Sequence, residues 1–208
     1  MAGTTKTFYL MPLPTLIFAT NNQHKADEIR VILNGLFEIQ TLKDAGIHID
    51  IPEPHLTLAE NATEKSRTIH QLTSGNCFSE DTGLEVIALN GEPGVKSARY
   101  AENDARFESN IEKLLFNLEG TINRAAQFRT VISLILDGKE YQFEGICPGT
   151  ITTGEKGRNG FGYDPVFIPT GANKTFGEMS IEEKTIYSHR KKATQKFLSF
   201  LNKYNGKD

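Results

Sequence analysis

FRTVISLILDGKEYQFEGIC, residues Phe128 to Cys147, decides the fold class. Phe128 to Asp137 is the most hydrophobic strand-like run of the chain, and Asp137-Gly138 is a two-residue signal for a tight hairpin. The return from Tyr141 to Cys147 sets Tyr141 and Phe143 on one face. Upstream, short apolar runs alternate with helical periodicity, the pattern of an α/β protein. An antiparallel pair inside such a chain predicts a mixed sheet rather than a wholly parallel one.

Working outward from the hairpin, Thr15 to Ala19 reads as a strand, followed by the polar loop Thr20-Asn21-Asn22-Gln23-His24-Lys25 and a helix on Ala26, Ile29, Ile32 and Leu33. Such a junction presents backbone N–H groups and a positive helix end to phosphate, with Lys25 as a mobile charge; it also reads as an ordinary capped helix start. The loop lacks the spacing of a P-loop. Glu38 to Leu42 reads as a second strand, followed by the polar segment Asp50-Ile51-Pro52-Glu53-Pro54 and a helix with Leu58, Ala62, Ile69 and Leu72 on its apolar face. Asn61 and Lys65, four apart on that helix, face either a cleft or solvent.

Asn76 to Ser79 is strand-like and delivers Glu80-Asp81-Thr82-Gly83, after which strand character resumes from Leu84 to Leu89. Two adjacent acids at the end of an apolar strand are costly near a core unless a positive group compensates them. Mg²⁺ is one solution, since it takes one or two protein carboxylates and completes its shell with water and phosphate oxygens. A β-turn with exposed acids is the other reading. Gly91 to Gly94 marks a turn, and Phe107, Ile111, Leu114, Leu115 and Leu118 mark a structural helix.

Composition bounds the possibilities. With 208 residues and 38% hydrophobic content, the chain suits one α/β domain, residues 15–204, or two closely packed lobes within it. Residues 1–14 read as an N-terminal extension, with Met11 as a possible alternative start, and residues 205–208 as a tail. A net charge of -3 gives no basic field for a nucleic-acid polymer, so any anionic ligand is held by local lysines or metal. Cys77 and Cys147 match no CxxC pattern and sit in apolar runs, as buried thiols do in a reducing compartment. No apolar run approaches the roughly 18 residues of a membrane span, and Pro12 and Pro14 interrupt any secretion signal. The expected location is the cytoplasm.

The stretch from Gly157 to Arg190 concentrates chemistry. Gly157, Gly160 and Gly162 surround Arg158, Asn159 and Phe161, a density that suits positive φ or close backbone approach to a ligand. Phe161 has no local core face to occupy. Pro165 pushes Asp164 toward extended backbone, so the loop is expected to enter a strand at Val166-Phe167-Ile168, with no helix opening at Asp164. From Ser188 the chain turns helical through Ala193, Phe197, Phe200, Leu201 and Tyr204. Ser188 as N-cap puts His189 and Arg190 in the first turn, where cations are disfavoured unless an anion shares that end. A solvated basic face continuing into Lys191 and Lys192 is the alternative.

Together these pieces resemble the inosine triphosphate pyrophosphatase family from Leu16 to Leu201. The resemblance is carried by FATNNQHKADEI, LTLAENATEK, SEDTGLEVIALNGEPGVKSARYA, GFGYDPVFIP, KTFGEM, EEK and SHR, in that order. It implies an elongated mixed central sheet flanked by helices, two lobes around an active-site cleft, and a homodimer. It implies hydrolysis of deaminated purine nucleoside triphosphates, namely ITP, dITP and XTP, to monophosphate and pyrophosphate; a pyrophosphatase for other modified nucleotides and a non-catalytic nucleotide-binding module are the alternative readings. Positions matching Thr20, Asn21, Asn22, Gln23, His24 and Lys25 would hold phosphates. Those matching Glu53 and Asp81, with help from Glu80, would hold Mg²⁺, and Asp81 would activate water for in-line attack at the α-phosphorus. Lys65 and Lys184 would share the phosphate charge, and Thr82 would touch phosphate. Phe161, Gly162, Tyr163, Asp164, Lys184, His189 and Arg190 would contact the nucleotide, with Phe161 as a stacking platform and either Arg190 or the backbone near His189 donating to the C6 oxygen. The chain departs from the family at Glu80-Asp81-Thr82-Gly83, where Asp-Asp-Ser-Gly is common, and at Gly177, where alanine is common.

Overall fold

The computed structural model describes residues 13–33 and 37–204, without the side chains of residues 24, 28, 31 and 32. The tail, nearly all of the expected extension, and the side chains of His24 and Ile32 lie outside the described residues.

The hairpin forms as its sequence dictates. Strands β4 (Ala125–Leu136) and β5 (Lys139–Ile151) pair antiparallel from Leu136↔Lys139 to Ala125↔Thr150. The two loop residues both take positive φ, 50° at Asp137 and 74° at Gly138, the geometry that matches strand twist in a two-residue hairpin. Strand β3 (Cys77–Val86) lies antiparallel on the other side of β4. β1 (Thr15–Phe18) runs parallel to β3 and to β2 (Glu38–Thr41), while β6 (Phe167–Pro169) pairs antiparallel with the far end of β5. The result is one mixed six-stranded sheet in the order β2-β1-β3-β4-β5-β6.

Period-two alternation sorts the side chains of β3 and β4 between two faces. On one face Phe78, Ile132, Leu134 and Leu136 pack against α1 (Gln23–Leu33) and α5 (His189–Tyr204) through Ala26, Ile29, Leu33, Ala193, Phe197 and Leu201. Tyr141 and Phe143 join this core from β5, as expected. Further along the same face, Leu84, Val86, Ala126 and Phe128 belong to a second core with Phe167, Phe176 and the helix α3 (Asn110–Asn117). The opposite face carries Cys77, Val131 and Ile135 against Ile69, Leu58 and Ala62 of α2 (Leu58–Thr73).

Four expectations change. β3 runs unbroken through Glu80-Asp81-Thr82-Gly83, so no turn lies there, and it ends at Val86, where residues 87–89 tighten into a 3₁₀ turn. Leu72 is exposed, because α2 rotates it away from the sheet. Asp164 is not extended: Asp164–Val166 form a single 3₁₀ turn before β6, held by the Asp164 carboxylate accepting the Phe161 N–H at 2.9 Å. A short helix, α4 (Ile181–Tyr187), precedes α5, with a reciprocal capping box between Ser180 and Glu183.

Candidate active site

The site lies where the two cores of one sheet face meet. Between Phe78 and Leu84 the inward side chains of β3 are Glu80 and Thr82, and opposite them on β4 Thr130 separates Ile132 from Phe128. The Thr82 and Thr130 hydroxyls are 2.8 Å apart, and Thr82 donates to Glu80 Oε1 at 2.8 Å. The first turn of α5 closes this gap. Ser188 caps it by accepting from the Lys191 N–H, as expected. Gly145 of β5 lets it settle: a Cβ there would stand 2.0 Å from the His189 carbonyl oxygen and 2.5 Å from the Ala193 nitrogen.

That close approach delivers Arg190 to Glu80. Arg190 Nε lies 3.0 Å from both carboxylate oxygens, and Nη2 lies 3.0 Å from Oε1. Lys25, from the first turn of α1, reaches the same Oε1 at 3.2 Å. Burial alone would raise the Glu80 pKa, but the charges of Arg190 and Lys25 and the Thr82 hydrogen bond hold it well below the usual carboxylate range. His189 stacks on Phe128, centroids 4.9 Å apart and planes 13° off parallel. Burial, reinforced by Arg190, pushes its pKa down to about 3, so the ring is neutral, and its Nδ1 is buried without a partner among the described residues.

Asp81 points through the sheet to the α2 side. There Lys65 Nζ lies 2.9 Å from Asp81 Oδ1, 2.7 Å from Glu53 Oε1 and 3.1 Å from the Glu80 carbonyl oxygen. Glu53 also takes Arg99 at 3.2 Å. Asn61 and Lys65 are therefore buried, not solvated; Asn61 bonds the His55 backbone on both sides, fixing the segment that carries Glu53. Burial raises the Asp81 pKa against the pull of Lys65, with Glu53 adding to the rise. Glu53 sits lower, because Lys65 and Arg99 outweigh its partial burial. Asp81 Oδ2 is buried without a partner among the described residues.

The carboxylates suit a divalent cation in a specific way. Glu53 and Asp81 already converge on one ammonium, and the orphaned Asp81 oxygen is a ready ligand atom. Glu80 does not fit the helping role expected for it, because alternation along β3 turns it to the opposite face, where two basic side chains occupy it. Mg²⁺ needs no more than the two remaining carboxylates when substrate phosphates and water supply the other positions.

The glycine-rich loop takes positive φ at Gly157, Gly160 and Gly162, as its composition predicts. Phe161 stands 55% exposed at its tip, with Lys184 Nζ 5.0 Å and Arg190 Cζ 5.9 Å from the ring centroid. Lys184 in turn pairs with Asp164 at 2.5 Å. Tyr163 takes a structural place: it is buried in the second core and donates to the Ser97 carbonyl oxygen at 3.0 Å. In the loop before α1, Asn22 Oδ1 caps the helix by accepting from the Lys25 N–H, while Asn21, Asn22 and Gln23 are exposed beside it. Reading the residues missed Arg99 and Thr130. Arg99 stands in the SARYA motif with no local sign of its partner 46 residues away, and Thr130 becomes visible only through its register with Thr82.

Comparison with known proteins places the chain in a family. The Ham1 family model matches residues 16–200. The dITP/XTP pyrophosphatase of Porphyromonas gingivalis is 49% identical over 187 residues, covering 89% of this chain and 96% of its own. That of Flavobacterium johnsoniae is 47% identical over 186 residues, covering 89% and 97%. The solved structure of the Staphylococcus aureus Ham1 protein superposes with a TM-score of 0.85 at 39% identity, covering 91% of this chain and 99% of that one. The chain belongs to the Ham1 family.

Proposed function

We propose that this protein hydrolyses deaminated purine nucleoside triphosphates, ITP, dITP and XTP, to the nucleoside monophosphate and pyrophosphate, clearing them from the nucleotide pool. The observation that carries the reading is Asp81: a buried carboxylate with one oxygen fixed by Lys65 and the other unpartnered, next to Glu53 on one face of β3 while Arg190 and Lys25 gather on the other. Relatives named dITP/XTP pyrophosphatase support it.

Charge explains why a metal belongs in this reading. Among the described residues, the ion pairs of the site set Lys25, Lys65, Arg99, Lys184 and Arg190 against Glu53, Glu80, Asp81 and Asp164, five cations to four carboxylates. One surplus positive charge is far too little for a triphosphate of about four negative charges, and phosphoryl transfer depends mainly on neutralising and positioning them. Mg²⁺ held by Glu53 and Asp81 would supply the missing charge and polarise a phosphate oxygen. Asp81, its proton affinity raised by burial, orients and deprotonates the attacking water at the α-phosphorus. Lys65, already between Glu53 and Asp81, keeps both carboxylates ionised and turned toward the cleft. Lys25 and the open end of α1 take the outer phosphates.

At the other end, Phe161 offers an exposed face for the base. Arg190 and the first turn of α5 present hydrogen-bond donors to a C6 oxygen, as in hypoxanthine and xanthine. Adenine would set its 6-amino donor against them and leave buried groups unpaired, which can discriminate by about 10⁴-fold. The same reading makes the enzyme a cytoplasmic homodimer. Its two free cysteines are buried, with thiol pKa values pushed up by burial to about 12 at Cys77 and about 11 at Cys147, so they suit a reducing compartment. Exposed Ile87, Phe116 and Ile122 near the second core give another copy apolar surface to cover. Among the described residues no helix is long and apolar enough to cross a membrane.

The test is turnover of ITP, dITP, XTP, ATP, GTP and dTTP with and without Mg²⁺, with both products identified. Monophosphate and pyrophosphate from ITP and XTP, abolished by EDTA and nearly absent with ATP, are expected. Orthophosphate as the product, or activity on dTTP alone, would overturn the reading.

A further inference from the structure

The charged cluster around Glu80 is an anomaly of packing. It sits on one sheet face between two apolar cores, and apolar side chains at positions 80, 82 and 130 would fuse those cores into one. Burying a carboxylate, a guanidinium and an ammonium carries a desolvation cost that apolar packing avoids, so the cluster is weakly motivated by stability alone. Its partners show what else it does. Lys25 comes from the first turn of α1, the phosphate end in the proposed function, and Arg190 from the first turn of α5, the base end in that same proposal. Glu80 Oε1 receives both, with the Thr82 hydroxyl as a third donor that fixes the carboxylate's rotation.

We propose that Glu80 is a positioning residue that holds Arg190 and Lys25 at one spacing, so that choice of base is set by a carboxylate touching neither the base nor the metal. The proposal rests on the functional reading above and deepens it. The Arg190 guanidinium donates to Glu80 through Nε and Nη2, which fixes its plane and hence the direction in which its outer edge meets the purine. A rigid donor discriminates between a C6 oxygen and a C6 amino group; a mobile one turns away from the mismatch and accommodates both. Because Lys25 shares the same oxygen, the distance between base reader and phosphate holder is also fixed.

The experiment compares Glu80→Gln, Glu80→Asp, Arg190→Ala and the Glu80→Gln/Arg190→Ala double variant with the wild type. The readouts are kcat/KM for ITP and for ATP, and Mg²⁺ binding by calorimetry. Glu80→Gln is expected to narrow the ITP-to-ATP ratio at least tenfold, as Arg190→Ala does, while Mg²⁺ affinity stays within twofold. The double variant is expected to be no less selective than Arg190→Ala alone. Glu80→Asp keeps the charge but shortens the reach, so it narrows the ratio less than Glu80→Gln; it also carries the test if the glutamine variant does not fold. An unchanged ratio with a tenfold loss of Mg²⁺ affinity would make Glu80 a metal ligand and overturn the proposal. Equal losses on both substrates would reduce it to general support and overturn it as well. A wild type that turns over ITP and ATP alike refutes the functional reading and this proposal with it; a selective wild type whose Glu80 variants stay equally selective refutes the proposal alone.

Discussion

Replacing His189 by Phe tests whether the start of α5 is built around a neutral ring. In the folded chain burial, with Arg190 adding to it, pushes the imidazole pKa down to about 3, whereas the unfolded chain titrates near 6.5. Below pH 6.5 the unfolded chain binds a proton that the folded chain refuses. The stability tied to this ring is therefore complete above pH 6.5 and is lost as the pH falls from 6.5 toward 3. At 1.36 kcal/mol per pH unit, the loss by pH 5 is about 2 kcal/mol, roughly a 30-fold shift in the folding equilibrium. Phenylalanine preserves a ring to stack on Phe128 and removes both the titration and the buried, unpartnered Nδ1. Urea unfolding at pH 7.5 and pH 5 measures the difference. The wild type should lose about 2 kcal/mol more than His189→Phe between the two conditions. The other histidines are common to both proteins, so they do not enter the difference. The Glu80 contribution also cancels: its folded pKa is depressed, so its stability is present above the ordinary carboxylate range and lost only at lower pH. Equal losses in the two proteins would refute the neutral-ring account.

Three further outcomes follow from the geometry. Asp81→Asn should lower kcat for ITP by roughly 10²-fold or more, the scale for losing one electrostatic stabiliser, with melting temperature as the control for folding; near-normal turnover would remove Asp81 from the chemistry. Phe161→Ala should raise the KM for ITP by roughly five- to hundredfold, the equivalent of ~1–3 kcal/mol of base stacking, and leave the melting temperature almost unchanged because the ring is more than half exposed. Gly145→Ala forces a methyl against backbone atoms of α5 on the far side of the sheet from Asp81. It should cost about 3 kcal/mol or more in urea unfolding, at the upper end of overpacking penalties, and a loss below 1 kcal/mol would show that α5 can lift without consequence.

Features set by local physics were legible in the sequence. Asp137-Gly138 is a hairpin because two consecutive positive φ values need those residue types, and Ser188 starts a helix because its hydroxyl replaces a missing backbone acceptor. The capping box Ser180-Ile181-Glu182-Glu183 is equally local, but the seven residues of α4 are too few to show an apolar period. Glu80-Asp81 looked like a break in a strand, since two buried acids are costly without partners. Their partners are distant in sequence: Arg190 is 110 residues from Glu80, and Lys65 is 16 from Asp81. Once the strand is continuous, alternation alone sends the two carboxylates to opposite faces and gives them different tasks. Tyr163 shows the converse, because its position in a functional-looking motif concealed a core side chain whose hydroxyl satisfies the Ser97 carbonyl.

The most direct measurement is hydrolysis of ITP in water enriched in ¹⁸O, followed by mass analysis of both products. Attack at the α-phosphorus by a water held at Asp81 places one ¹⁸O in IMP and none in pyrophosphate. Label in pyrophosphate would put the attack on the β-phosphorus and contradict the arrangement of Asp81, Glu53 and Lys65 described here.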